Sequence, residues 1–253
     1  MTEPRRNLFK EGLAEGRVQT GYWNTMTDPL AAEMAASLGY DWVVLDCEHS
    51  AMETATALGL MQAVAPYPTS AIVRPKVLDV AEIKKLLDLG AQSLLIPMIN
   101  TVEEAQLAAA AVAYPPEGIR GIAGATRAGG FGAIRDYHRT ARERIALIVQ
   151  IETMDAVGRI EDIAAVPGID AMFIGPADLA GSLGHIGEAS HPDVQAACED
   201  AIRRIVAAGK PAGYLSADPE ACDRMQAAGA TFVGRDIDIV ALRRALAERA
   251  PKR

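Results

Sequence analysis

Residues 43–50 read VVLDCEHS, which sets Asp46, Cys47, Glu48 and His49 directly behind an apolar run. All four side-chain types can ligate a metal, and Cys or His can instead serve as nucleophile or base. Arg74 follows the apolar residues AIV and precedes Pro75, so its backbone is stiffly placed. A guanidinium there can hold a carboxylate or stabilise an oxyanion, and it cannot give its proton away; the plainer alternative is that it only neutralises Glu48 or Asp46. Gln150 and Glu152 close the run ALIVQIE, and Asp178 stands in the turn IGPADLAG. Two carboxylates brought together repel unless they are protonated, hydrogen-bonded or bridged by a cation. With open water positions they suit Mg²⁺ or Mn²⁺. The bland alternative is that Asp178 caps the following turn while Glu152 pairs with an arginine. Lys76 raises a Schiff-base possibility, but it lies beyond Pro75 and reads as a solvated surface lysine. Cys198 and Cys222 read as helix packing residues, and His138, His185 and His191 as surface residues without ligand-spaced partners.

A recurring beat must position these residues: a helical segment, a glycine, then a short apolar strand. It occurs in SLGYDWVVLD, DLGAQSLLIP, VPGIDAMFIG, AAGKPAGYLS and AAGATFVGRD. Glycine suits the left-handed residue just past a helix, and near-continuous apolar strands suit a parallel sheet buried on both faces. Asp28-Pro29 and Asp218-Pro219 pair an N-cap acid with proline at the first helical position, and Thr101 with Glu104 fits a capping box. Strands are predicted at 18–23, 42–46, 71–74, 93–97, 146–151, 170–175, 211–215 and 231–235. Eight strands alternating with helices in this length predict one (β/α)₈ TIM barrel over residues 1–253, a single α/β domain. An open doubly wound sheet would want a glycine fingerprint at its first turn, and YWNTMTDP has none. One connection, 114–137, is long enough to expect function or an interface there.

In such a barrel the strand ends gather at one mouth. That mouth would hold Trp23, Asp46 through His49, Arg74, Gln150, Glu152 and the GPADLAG turn. Gln150 and Glu152 share a face, and the tops of neighbouring strands five and six lie about 5 Å apart. Net charge is −8, which disfavours nucleic acid and anionic membranes as main partners. Three cysteines without CxxC spacing, and no apolar run of membrane length, predict a reduced, cytoplasmic protein.

The ordered set DCEH, VRP, LIPM, YPPEGIRG, VQIET and FIGPADL resembles the HpcH/HpaI aldolase family over nearly the whole chain. The resemblance implies a barrel of the phosphoenolpyruvate/pyruvate type, assembled as a homo-hexamer that exchanges its eighth helices. It implies a metal-dependent (class II) aldolase that cleaves 4-hydroxy-2-oxo acids to pyruvate and an aldehyde, with Mg²⁺, Mn²⁺ or Co²⁺ as cofactor. On that resemblance Glu152 and Asp178 are the metal ligands, Asp46 and His49 an acid–base dyad, and Arg74 a catalytic cation. Arg74, Gln150 and the backbone of Ala177 and Asp178 become pyruvate contacts. Trp23 and Leu215 become further substrate contacts, and Arg127 a residue lent by a neighbouring subunit. The alternatives are a citrate-lyase-type enzyme acting on an acyl-CoA or acidic substrate, and a non-catalytic binding barrel.

Overall fold

In the computed structural model, which describes residues 5–251, eight parallel strands close into a barrel in sequence order. They are β1 (Gln19–Asn24), β2 (Trp42–Asp46), β3 (Ser70–Arg74), β4 (Ser93–Ile96), β5 (Ala146–Ile151), β6 (Ala171–Ile174), β7 (Ala212–Leu215) and β8 (Phe232–Ile237). Each pairs with the next, and β1 pairs with β8 to seal the sheet. Closure follows from the composition of the strands. Every residue of β2, β4, β5 and β6 is buried, because one face meets the helices and the other the barrel interior.

The glycines of the recurring beat carry out the turn from helix to strand. Gly39, Gly90, Gly168, Gly209 and Gly229 all hold positive φ, between 79° and 115°, where a side chain would be strained. The starts are fixed as well: Asp28 accepts from the Leu30 N–H, Asp218 from the Glu220 N–H, and Thr101 and Glu104 form the capping box reciprocally.

Inside the barrel, large rings alternate with missing side chains. A Cβ at Gly21 would sit 2.0 Å from the Trp42 ring, and one at Gly213 would sit 2.2 Å from Phe232. The lower end is plugged by a short helix, Leu8–Ala14, that the sequence pattern does not single out. Its Phe9 is fully buried, with ring centroids 5.4 Å from Phe232 and 6.3 Å from Trp42. The long connection after the helix Val102–Val112 contains one 3₁₀ turn, Gly130–Gly132, and leads into a helix, Tyr137–Arg144, before β5. Arg120 anchors it: the guanidinium is fully buried, stacks 4.4 Å over Tyr114 and binds Asp88 at 2.7 Å.

Candidate active site

The carboxyl ends of β2, β3 and β5, with the turn after β6, bring one polar cluster together at the mouth. Asp46 and Arg74 are register partners at the ends of β2 and β3. The Arg74 Nε donates to Asp46 Oδ1 at 2.9 Å and its Nη2 to Oδ2 at 2.7 Å. Trp23 Nε1 donates to the same Oδ2 at 3.1 Å, and its ring lies 4.8 Å beneath the guanidinium carbon. Burial alone would raise the Asp46 carboxyl, but the two Arg74 bonds, the guanidinium charge and Trp23 bring it below its ordinary value. Asp46 is therefore a carboxylate committed to holding Arg74.

That commitment corrects the expected pairing of Asp46 with the His49 ring. Asp46 Oδ1 reaches the backbone N–H groups of Glu48, at 3.0 Å, and His49, at 3.3 Å. Both carboxylate oxygens are already occupied by Arg74 and Trp23, so the imidazole points elsewhere. Its Nε2 lies 3.8 Å from Glu48 Oε2, and the side chain is 65% exposed at the mouth.

The remaining arm of Arg74 turns toward Glu48 and Gln150: Nη1 lies 2.7 Å from Glu48 Oε2 and 3.5 Å from Gln150 Oε1. Gln150 Nε2 donates to Glu152 Oε2 at 2.6 Å, and the Met98 N–H donates to Glu152 Oε1 at 2.7 Å. Met98 holds φ at +53°, an uncommon conformation for a side-chain-bearing residue, and the bend aims its N–H at the carboxylate. Glu152 is pushed up to about 7 by burial, with the Met98 bond opposing and the charges of Asp178 and Glu48 adding to the rise. Burial raises Glu48 too, against the pull of Arg74, with Asp178 again contributing. Asp178 is exposed in the first turn of the helix Pro176–Ser182, beside Ala177.

This set fits a hard divalent cation. The charge of Asp178 raises both Glu48 and Glu152, and that of Glu48 raises Glu152 further, so a cation among them would relieve the repulsion. Gly175 keeps the space open: a Cβ there would sit 2.4 Å from Glu152 Oε2 and 2.8 Å from Gln150 Nε2. The sequence gives the glycine but not its reason, which is visible only when β5 and β6 lie side by side.

Other expected positions are placed as follows. Leu215, half-buried at the end of β7, packs against the barrel interior that also holds Trp23. Arg127 does not join its own chain's mouth. It lies at the opposite end of the barrel, where Nη1 donates to the Leu89 carbonyl at 2.6 Å. Lys76 pairs with Glu53 at 2.7 Å, which raises its pKa, the wrong direction for a Schiff-base amine. Cys47 is buried and its thiol pushed up to about 12, foremost by that burial, so it is no nucleophile. His185 and His191, read from the sequence as partnerless, meet each other and Asp193. Their rings stack 3.6 Å apart at 16°, so their in-plane lone pairs run side by side and do not converge on one ion.

Comparison with known proteins gives this mouth its context. The HpcH/HpaI aldolase/citrate lyase family matches residues 19–245. A hydroxypyruvate/pyruvate aldolase of Sagittula stellata is 50% identical over 246 residues, covering 97% of each chain. A 4-hydroxy-2-oxo-heptane-1,7-dioate aldolase of Klebsiella pneumoniae is 44% identical, covering 94% of this chain and 90% of its own. The crystal structure of a family member from Burkholderia cenocepacia superposes with a TM-score of 0.92 at 36% identity, over 96% of this chain and 97% of that one. The chain thus belongs to the HpcH/HpaI aldolase/citrate lyase family and is one of its aldolases, a carbon–carbon lyase.

Proposed function

We propose that the mouth cleaves a 4-hydroxy-2-oxo acid reversibly into pyruvate and an aldehyde, with a divalent cation held by Glu152 and Asp178. The observation that carries this reading is the convergence of Arg74, Gln150, Glu152 and Glu48 on one space kept open by Gly175. Mg²⁺, Mn²⁺ or Co²⁺ all suit such oxygen donors, and a cation bound there would supply Lewis-acid polarisation of the keto group.

The chain's own residues do the rest. Arg74, fixed by Asp46 and Trp23, presents Nη1 to the oxo-acid end of the substrate. Gln150 stands beside it, and the Ala177 and Asp178 N–H groups lie in a first helical turn, where intrahelical acceptors run out. These groups bind the carboxylate and keto oxygens. His49 takes the C4 hydroxyl proton, directly or through water, from its exposed position at the rim. The C3–C4 electron pair stays with the three-carbon piece as an enolate while the aldehyde departs. Arg74 neutralises the oxygen charge, and protonation at C3 completes pyruvate. Asp46 acts through Arg74 and through the backbone of the His49 turn. Trp23 and Leu215 form the apolar wall on which the aldehyde portion rests.

Assembly belongs to the same proposal. The last helix, Asp238–Ala247, buries only Asp238 among its residues and exposes Ile239, Val240, Leu242 and Leu246. The helix Pro29–Ser37 exposes Leu30 and Met34, and the Leu38 that caps it is exposed as well. Such faces support a homo-hexamer that exchanges its eighth helices, and Arg127 can meet a substrate only across subunits. The three free, buried thiols accord with a cytoplasmic home. No helix among the described residues is long and apolar enough to cross a membrane.

A panel of aldehydes with pyruvate as donor, run against Mg²⁺, Mn²⁺ and Co²⁺, tests the reading. Metal-dependent aldol products are expected; binding of pyruvate with no turnover of any hydroxy-oxo acid would return the chain to a binding barrel.

A further inference from the structure

Strand β1 ends at Asn24, so the residues that follow, Thr25 and Met26, stand at the mouth end of the barrel. One side chain from far along the sequence holds them. Asp238, the buried first residue of the last helix, accepts two hydrogen bonds on each carboxylate oxygen. Its Oδ2 takes the backbone N–H groups of Thr25 and Met26, each at 2.7 Å. Its Oδ1 takes the Thr25 hydroxyl at 2.6 Å and the Ile239 N–H at 2.7 Å. A carboxylate has about four lone-pair sites, so none is left over. Asn24, wholly buried, closes the clasp by donating Nδ2 to the Met26 carbonyl at 2.7 Å.

An irregularity in the sheet brings Asp238 to this place. Gly21 pairs with Gly234, yet Trp23 pairs with Ile237, so β8 uses three residues where β1 uses two. An extra residue of this kind turns the side chains beyond it to the other face, a device common beside active sites. The helix that Asp238 opens buries no other residue, so the burial of Asp238 serves the loop and not a packed helix face. What the clasp holds in place is Trp23, two residues before Thr25. Trp23 donates to Asp46 and underlies the Arg74 guanidinium, and Asp46 forks onto Arg74. A continuous line thus runs from Asp238 through Thr25, Trp23 and Asp46 to Arg74.

We propose that Asp238 is a positioning residue for the cleavage: it fixes the end of β1, so that Trp23 and Asp46 keep Arg74 aimed. The proposal rests on the reading of Arg74 as the cation that meets the substrate. Asp238 itself meets no substrate, since all its acceptor sites are taken.

Steady-state pyruvate release from a 4-hydroxy-2-oxo acid, with cation present, tests this on full-length Asp238→Asn, Arg74→Lys and the double variant. Asparagine keeps the size but has one carbonyl oxygen in place of two carboxylate oxygens, so the clasp loosens. Asp238→Asn should lower kcat/KM about tenfold or more. Added to Arg74→Lys it should cost no more than about a further twofold, because an aim already lost is not lost again. Thr25→Val removes one donor from the loop side. It should give a smaller loss with the same non-additivity, and it serves if Asp238→Asn does not fold. Losses that multiply in full overturn the proposal, since they mark a general weakening of the fold. Wild-type kcat/KM in Asp238→Asn overturns it as well. If Arg74→Lys is slow while Asp238→Asn is not, this proposal alone falls; if Arg74→Lys keeps wild-type kcat/KM, the reading of Arg74 falls and takes the proposal with it.

Discussion

Arg74 meets Asp46 as a fork meets a carboxylate, Nε on Oδ1 and Nη2 on Oδ2, with both residues almost wholly buried at adjacent strand ends. The pairing leaves Nη1 as the arm turned toward Glu48 and Gln150. On the proposed reading, the charge offered to the substrate is thereby aimed by a residue that itself stays out of the reaction. Lysine cannot reproduce this, since it offers a point charge and no plane. Arg74→Lys should lower kcat/KM about 100- to 1,000-fold, the cost of losing one oriented oxyanion donor. Pyruvate release in a coupled assay, with circular dichroism to confirm folding, checks it.

His49 stands at the rim, and its side chain is mostly exposed. His49→Ala should therefore leave stability within about 0.5 kcal/mol while slowing cleavage about 100-fold or more. Thermal unfolding and steady-state kinetics on one preparation separate the two effects. Unchanged cleavage would remove the proton-transfer role.

Gly175→Ala places a methyl group 2.4 Å from Glu152 Oε2. Glu152 and Gln150 would have to shift, at a cost of about 1–3 kcal/mol, and divalent-cation affinity should fall about tenfold or more. Metal titration followed by intrinsic fluorescence measures it, and an unchanged affinity would mean that the cation lies elsewhere.

Glu152 provides a pH signature. In the metal-free folded protein its carboxyl is pushed up to about 7, against an ordinary 4.5 in the unfolded chain. The folded state thus holds this proton more tightly. The stability linked to it is fully present below 4.5 and is lost as pH rises through about 7. Across that window the thermal midpoint of metal-free wild type should fall relative to Glu152→Gln, which cannot ionise. Cation binding should release a proton in the same range. A difference between the two proteins that does not vary with pH would contradict the burial and charge argument.

Much of this architecture is legible in the sequence because it rests on local rules. The five glycines after the helices are read from their neighbours, and each holds positive φ. The predicted strands coincide with β1–β8 to within two residues at each end. What escaped is non-local. Phe9 plugs the barrel from a seven-residue helix whose burial depends on Trp42 and Phe232, far along the chain. That Arg74 can neutralise Asp46 or Glu48 is an alternative legible in the sequence; that Asp46 takes Arg74 in place of the His49 ring depends on strand register, which motif spacing does not encode. Met98 shows no sequence sign of its left-handed backbone, and the stacking of His185 on His191 depends on the turn between them.

The central claim is that a cation-assisted mouth, and not a lysine Schiff base, performs the cleavage. Pyruvate release from a 4-hydroxy-2-oxo acid should be measured before and after EDTA treatment, then with Mg²⁺, Mn²⁺ or Co²⁺ restored, and in parallel with borohydride. The account predicts loss with EDTA, recovery with cation in wild type but not in Glu152→Gln, and no borohydride adduct. Activity that persists through EDTA, with pyruvate trapped on Lys76, would contradict it.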